Sequence, residues 1–154
     1  MEQSLTEKCM EEEKKYQFSC FSHEDAFNMG LELLKFSQER KEVVAIEIRI
    51  NQVSVFKYLP DGTGMFHEMW LKRKSNMVGV MEMSTLRAYA QLEENQEDMI
   101  KDWILDPKDY AACGGGFPIR LRGGSIVGTI CVSGLPHLRD HAILIGGISR
   151  FLDS

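Results

Sequence analysis

Paired cysteines, long apolar runs, a basic surplus and nucleotide signatures are all missing from this sequence. The four cysteines, Cys9, Cys20, Cys113 and Cys131, show no C-x-x-C spacing and no histidine at zinc-finger distance, so neither a structural zinc site nor a thioredoxin-type pair is written into the chain. Reduced, mostly buried thiols are expected. No apolar run approaches the roughly 18 residues of a membrane span. The first fifteen residues carry Glu2, Glu7, Glu11, Glu12 and Glu13 and read as neither signal peptide nor anchor; a cytoplasmic protein is the expectation. Lysine and arginine number 18 against 23 acidic residues, a formal charge of -5, which argues against the phosphate-backbone contacts that nucleic-acid binding needs. Neither G-x-G-x-x-G nor G-x-x-x-x-G-K-[ST] occurs, G-x-S-x-G is absent, and no Ser, His and acid set has local support. An acid/base pair for catalysis is not visible either.

What is present suits one globular domain. With 44% apolar and 27% charged residues in 154, the chain has enough side chains for a core and no composition of disorder. Residues 1–16 form a charged N-terminal segment, expected as a frayed or weakly docked helix and a plausible protein-binding arm; residues 17–154 form the domain. Ser22 reads as an N-cap with Glu24 and Asp25 in the first turn. Ala26, Phe27, Gly30, Leu31, Leu33 and Leu34 then follow at helical spacing, which predicts a helix to about Arg40. The alternation Val44, Ile46, Ile48, Ile50, followed by Asn51-Gln52 and VSVFKYL, predicts a hairpin. Pro60 to Gly64 breaks the chain. Residues 65–94 read as helix in two pieces divided near Met83-Ser84, and Gln96 to Leu105 as a shorter helical stretch.

Seven glycines fall within Cys113 to Pro136, CGGGFPIRLRGGSIVGTICVSGLP. Phe117, Ile119 and Leu121 alternate with Pro118, Arg120 and Arg122, and a two-residue Gly123-Gly124 turn predicts a second hairpin in which Leu121 pairs Ile126 and Ile119 pairs Gly128. Gly128 would leave a bare place on the buried face, where a helix or a ligand must approach the sheet. Gly114 to Gly116 lead into a strand and not a helix, so a phosphate loop is not indicated. Pro136 fits the first turn of a last helix, whose stripe Leu138, His141, Ile145, Ile148 and Leu152 faces inward. This order predicts an α+β fold within the broad α/β class, a mostly antiparallel sheet of two hairpins packed with helices.

The words GGGFPI at 114–119, GTICVSGLP at 128–136, Asp140-His141, AIEIR at 45–49, Trp70 with Arg73-Lys74, and LDPKDYAACGG at 105–115 together resemble the uncharacterised soluble branch of the haem-degrading-domain family, the GlcG/HbpS-like proteins. The resemblance spans roughly residues 20–152. It implies a profilin-like domain that assembles into a closed homo-oligomer, with haem as the cofactor of some relatives and a chaperone-linked member in yeast. His137 and the acidic N-terminus lie outside the family pattern. Haem degradation travels with the family name and need not be this chain's activity.

Two constellations carry candidate chemistry. His137 and His141 stand four apart, the spacing of a two-histidine metal site, but HLRDH lacks the glutamate of H-E-x-x-H and a third ligand, so no metal is expected. A buried His141 tied to a carbonyl or carboxylate is the plainer reading; a ligand contact is the sharper one. Trp70, Arg73, Lys74, Met77, Val78 and Met81 place two cations beside an apolar face. Snorkelling accounts for both, yet the planar fork of Arg73 also suits a carboxylate. Met65, Met69, Met77 and Met81 read as core filler, and Cys113 is the one thiol worth testing. The candidate ligand-binding residues are therefore Trp70, Arg73, Lys74, Gly114, Gly115, Gly116, Phe117, Gly128 and His141. They would line a pocket between the glycine loop, the Trp70 helix and the start of the last helix, suited to haem or a related organic anion. A non-catalytic assembly or adaptor protein using the same surfaces is the alternative.

Overall fold

Two reciprocal caps start the first two helices. In the computed structural model, which describes residues 2–154, the Ser4 and Ser22 hydroxyls accept the N–H groups of Glu7 and Asp25, whose carboxylates accept the Ser4 and Ser22 N–H groups in return. Each exchange satisfies two donors that a helix start otherwise leaves free. The helices so begun are α1, Leu5–Lys15, and α2, His23–Glu39. Far from fraying, α1 packs on α4, Thr85–Asn95. Its Cys9 and Glu13 are buried; the Glu13 carboxylate takes the Ser84 N–H at 3.1 Å and the Arg87 guanidinium at 3.0 Å. A helix too short and charged to be stable alone is thus held by partners distant in sequence.

The first hairpin joins β1, Ala45–Ile50, to β2, Val53–Tyr58. Asn51 and Gln52 both take positive φ, the conformation of a tight two-residue hairpin turn. The second hairpin is β3, Gly116–Arg120, with β4, Ile126–Ser133. Ile119 pairs Gly128 as predicted, but an irregularity after Ile119 sets Arg120, not Leu121, opposite Ile126. The turn consequently spans Arg122 to Gly124, and Gly124 donates to the Leu121 carbonyl at 2.9 Å. All pairings in the four-stranded order β2-β1-β4-β3 are antiparallel. The fold is α+β, as the element order implied.

Both faces of the sheet are covered. Ile46, Ile48, Phe117, Ile119, Ile130 and Val132 pack with Met29 and Leu33 of α2 and with Ile143, Leu144 and Ile148 of α5, His137–Asp153. On the other face α3, Met65–Met81, lays Leu71 against Ala45 and Cys131. Period-two alternation along β1 and β4 separates the two sets. The outer face of α2 leaves Phe27 and Leu31 exposed, while Met29 is buried. On α5, Leu138 is 57% exposed and Asp140 and His141 are buried, a rotation of the expected stripe. Met77 belongs to the core, but Met65 and Met69 are exposed. Residues 96–105 contain turns and no helix. Gln96 ends α4 in a left-handed conformation, and the carboxylates of Asp102 and Asp98 take the N–H groups of Asp98 and Lys101 at 2.7 and 2.8 Å, side-chain bonds that compete with helix. Among the described residues no helix is long and apolar enough to cross a membrane.

Candidate functional site

Phe66, Trp70 and Lys74 succeed one another at four-residue steps on α3 and so share one face of the helix. The two aromatic rings meet edge to face with centroids 6.2 Å apart. One turn deeper, Lys74 is buried; its Nζ donates to the Val132 carbonyl at 2.8 Å and to Asp140 Oδ2 at 3.0 Å. Asp140 sits in the first turn of α5, where its other oxygen accepts the Leu135 N–H at 3.0 Å. Burial pushes the Asp140 carboxyl above its ordinary value, while the Lys74 ammonium and the Leu135 and Gly134 N–H groups pull it back. A buried ion pair whose remaining atoms find hydrogen bonds is the form such pairs must take to persist.

Lys74 and Asp140 floor a cavity of about 410 Å³ lined by Phe66, His67, Trp70, Lys74, Cys113, Ser133, Gly134, Leu135, His137 and Asp140. It lies where α3, the loop before β3 and the start of α5 converge. His137 accepts the Gly114 N–H on Nδ1 at 2.9 Å and packs edge-on against Tyr89. Burial first, then the nearby Lys74 charge, hold its imidazole below the ordinary value. Burial likewise raises the Cys113 thiol against the pull of Lys74, which leaves it a poor nucleophile.

The nine predicted ligand residues are not gathered into one place. Trp70 and Lys74 line the cavity; Arg73 does not, and its guanidinium stacks over the Trp70 ring at 4.1 Å. The loop glycines are set by packing. A Cβ on Gly114 would overlap the His137 carbonyl, and one on Gly116 would press on Thr85, whose hydroxyl accepts the Gly116 N–H at 2.8 Å. Gly115, at φ +127°, leaves room for the Lys74 ammonium. Phe117 is fully buried in the core. Gly128 meets the Arg49 carbonyl of β1 and the Ile119 side chain, so neighbouring strands close the place where a helix or ligand was expected. Gly128 instead borders a second cleft of about 660 Å³ with Arg49, Ser75 and Thr129, where Arg49 is paired with the buried Glu47 at 3.2 Å.

The two histidines part company as well. His141, buried, places Nε2 2.7 Å from Glu12 Oε1 on α1, the carboxylate tie expected of it. Donor atoms of Cys9, Glu12 and His141 lie within 4.8 Å of one another, a set of the kind that holds a transition metal. Sequence reasoning missed Asp140, His67 and Glu12. Asp140 was in view within HLRDH, but its partner Lys74 is remote and nothing local marks the pair.

Fold and cavity together define a small α+β domain with a ligand-sized pocket over a buried ion pair. The chain belongs to the family described as haem degrading protein HbpS-like, whose model matches residues 21–149. It is 33% identical over 144 residues to a UPF0303 protein of Yersinia enterocolitica, covering 94% of this chain and 86% of that protein. The crystal structure of the Ybr137w protein superposes with a TM-score of 0.87 at 22% identity, over 96% of this chain and 87% of that one. The PduOC:heme complex does so at 0.72 and 14% identity, over 84% and 94%.

Proposed function

We propose that this chain is a small-molecule binding module whose cavity between α3, the Cys113–Gly116 loop and α5 takes an organic anion with a flat apolar body, the class to which haem belongs. One observation carries the reading: a buried cation, Lys74, stands at the floor of a cavity whose lip is the aromatic pair Phe66 and Trp70. Ligand pockets combine a mainly apolar wall with a few placed polar groups, and about 410 Å³ is within their usual range. The HbpS-like family and the heme bound in PduOC support haem as the first compound to try. The test is titration of the purified chain with haem, following the Soret band. Saturable binding that weakens in Trp70→Ala is expected; a spectrum indistinguishable from free haem at every ratio would defeat the reading.

A second reading, assembly with other copies or with a protein partner, is favoured by Met65, Phe66 and Met69, which are 74%, 68% and 57% exposed on the first two turns of α3. Apolar side chains so grouped commonly mark contact surfaces. Light scattering of the wild type beside a Met65→Ser/Phe66→Ser/Met69→Ser variant tests it: a larger particle that the triple change dissociates is the expected result.

A further inference from the structure

Beside the Ser133 hydroxyl and the engaged Asp140 carboxylate, the polar side chains of the cavity wall are donors. Lys74 has three N–H bonds, and the protein accepts two of them, at Val132 and Asp140. Asp140 is already engaged on both carboxylate oxygens, one facing Lys74 and the other the Leu135 N–H. Both cavity histidines use Nδ1 as an acceptor: His137 from the Gly114 N–H at 2.9 Å, His67 from the Gly64 N–H at 3.1 Å. An N–H can be accepted only by a nitrogen with a free lone pair, so the neutral ring keeps its proton on Nε2. Each imidazole thus presents its remaining nitrogen as a donor.

We infer that this cavity reads its ligand through acceptor oxygens, a carboxylate or carbonyl received by the Nε2–H groups of His137 and His67 and the third N–H of Lys74, and that neither histidine ligates iron. The inference rests on the binding role proposed above and specifies its chemistry. Coordination through Nε2 needs the lone pair of that nitrogen and moves the proton to Nδ1, where it would confront the Gly114 or Gly64 N–H. The loop anchor would be lost in the first case and the start of α3 would lose its cap in the second, each a buried or capping donor left unpaired. Cys113, with its thiol raised by burial, offers no thiolate in their place. An acceptor-rich edge on an apolar plate, such as a propionate-bearing tetrapyrrole or an aromatic acid, matches the wall without disturbing any existing bond.

Metal-free protoporphyrin IX and haem, titrated side by side into the full chain by tryptophan quenching, separate the alternatives. Comparable affinity for the two is expected, and haem should acquire no low-spin histidine spectrum. His137→Gln, whose amide can accept from Gly114 and donate into the cavity, should keep that affinity, while His137→Leu should lose tenfold or more, about 1.4 kcal/mol. Preference for haem over the free porphyrin by about tenfold or more, with low-spin bands abolished in both His137 variants, would overturn the inference and leave the binding role standing. Binding of neither porphyrin would remove the binding role and the inference together.

Discussion

Lys74 Nζ and Asp140 Oδ2 stand 3.0 Å apart although 66 residues separate them in the chain. The pair ties α3 to α5 through the floor of the cavity, on side chains only 3% exposed.

Breaking it from one side strands a buried charge. Lys74→Met should lower stability by about 3–5 kcal/mol, while the double change Lys74→Met/Asp140→Leu should recover much of that loss. Urea unfolding of the two variants measures it; equal losses in the single and double variants would show that the pair is not the source.

Gly115 and Gly79 should respond to alanine with opposite signs. Gly115 has φ +127° and borders the Lys74 ammonium, so Gly115→Ala is expected to cost about 1–3 kcal/mol. Gly79 lies in α3 with nothing within 4 Å of an added Cβ, and Gly79→Ala should stabilise by about 0.4–1 kcal/mol. Thermal melts of both variants give the comparison.

His137 makes stability depend on pH. Its folded-state affinity for a proton is lower than that of the unfolded chain, from burial and then from Lys74. Its contribution is therefore fully present above about pH 6.5 and is lost as pH falls through the lower folded value. The raised Asp140 carboxyl acts with the opposite sign and in a more acidic window, its contribution falling as pH rises from the ordinary aspartate value to the raised one. The urea midpoint of wild type should fall relative to that of His137→Gln as pH drops from 7 to 5, values flanking the imidazole value of about 6.5; a constant difference would show that His137 does not titrate in the fold.

Thiol chemistry should single out Cys20. It is exposed, whereas burial raises Cys113 and pushes Cys9 and Cys131 up to about 12. Limited iodoacetamide at neutral pH followed by peptide mass mapping should find Cys20 modified first and Cys9 and Cys131 protected until denaturant is added. Early labelling of Cys131 would contradict its place under α3.

The fold was legible because its signals are local. Ser22 with Asp25, the alternation through Ile46, Ile48 and Ile50, and Asn51-Gln52 each name their structure within a few residues. The hairpin register past Ile119 was not, since the adjacent glycines Gly123 and Gly124 permit more than one turn and the selection is made by Leu121 and its neighbours. Of the candidate site, Trp70 and Lys74 could be placed on one helix face, whereas the Gly114–Phe117 loop expected to wall the pocket contributes none of its residues to the cavity lining. The Lys74–Asp140 pair could not be read, because complementary charge has no period in sequence. The glycines were misleading for a related reason: a residue without a side chain announces a close neighbour but not its identity, and at Gly114, Gly115 and Gly128 that neighbour is His137, Lys74 or Arg49.

The family model begins at residue 21, yet Glu12 and Glu13 of α1 hold His141, Ser84 and Arg87. A chain trimmed to that boundary would hand His141 and the Ser84 turn to water and unseat the shared flank of α4 and α5, on which His137 and Tyr89 also stand. Experiments on the cavity accordingly call for the protein with its first sixteen residues in place.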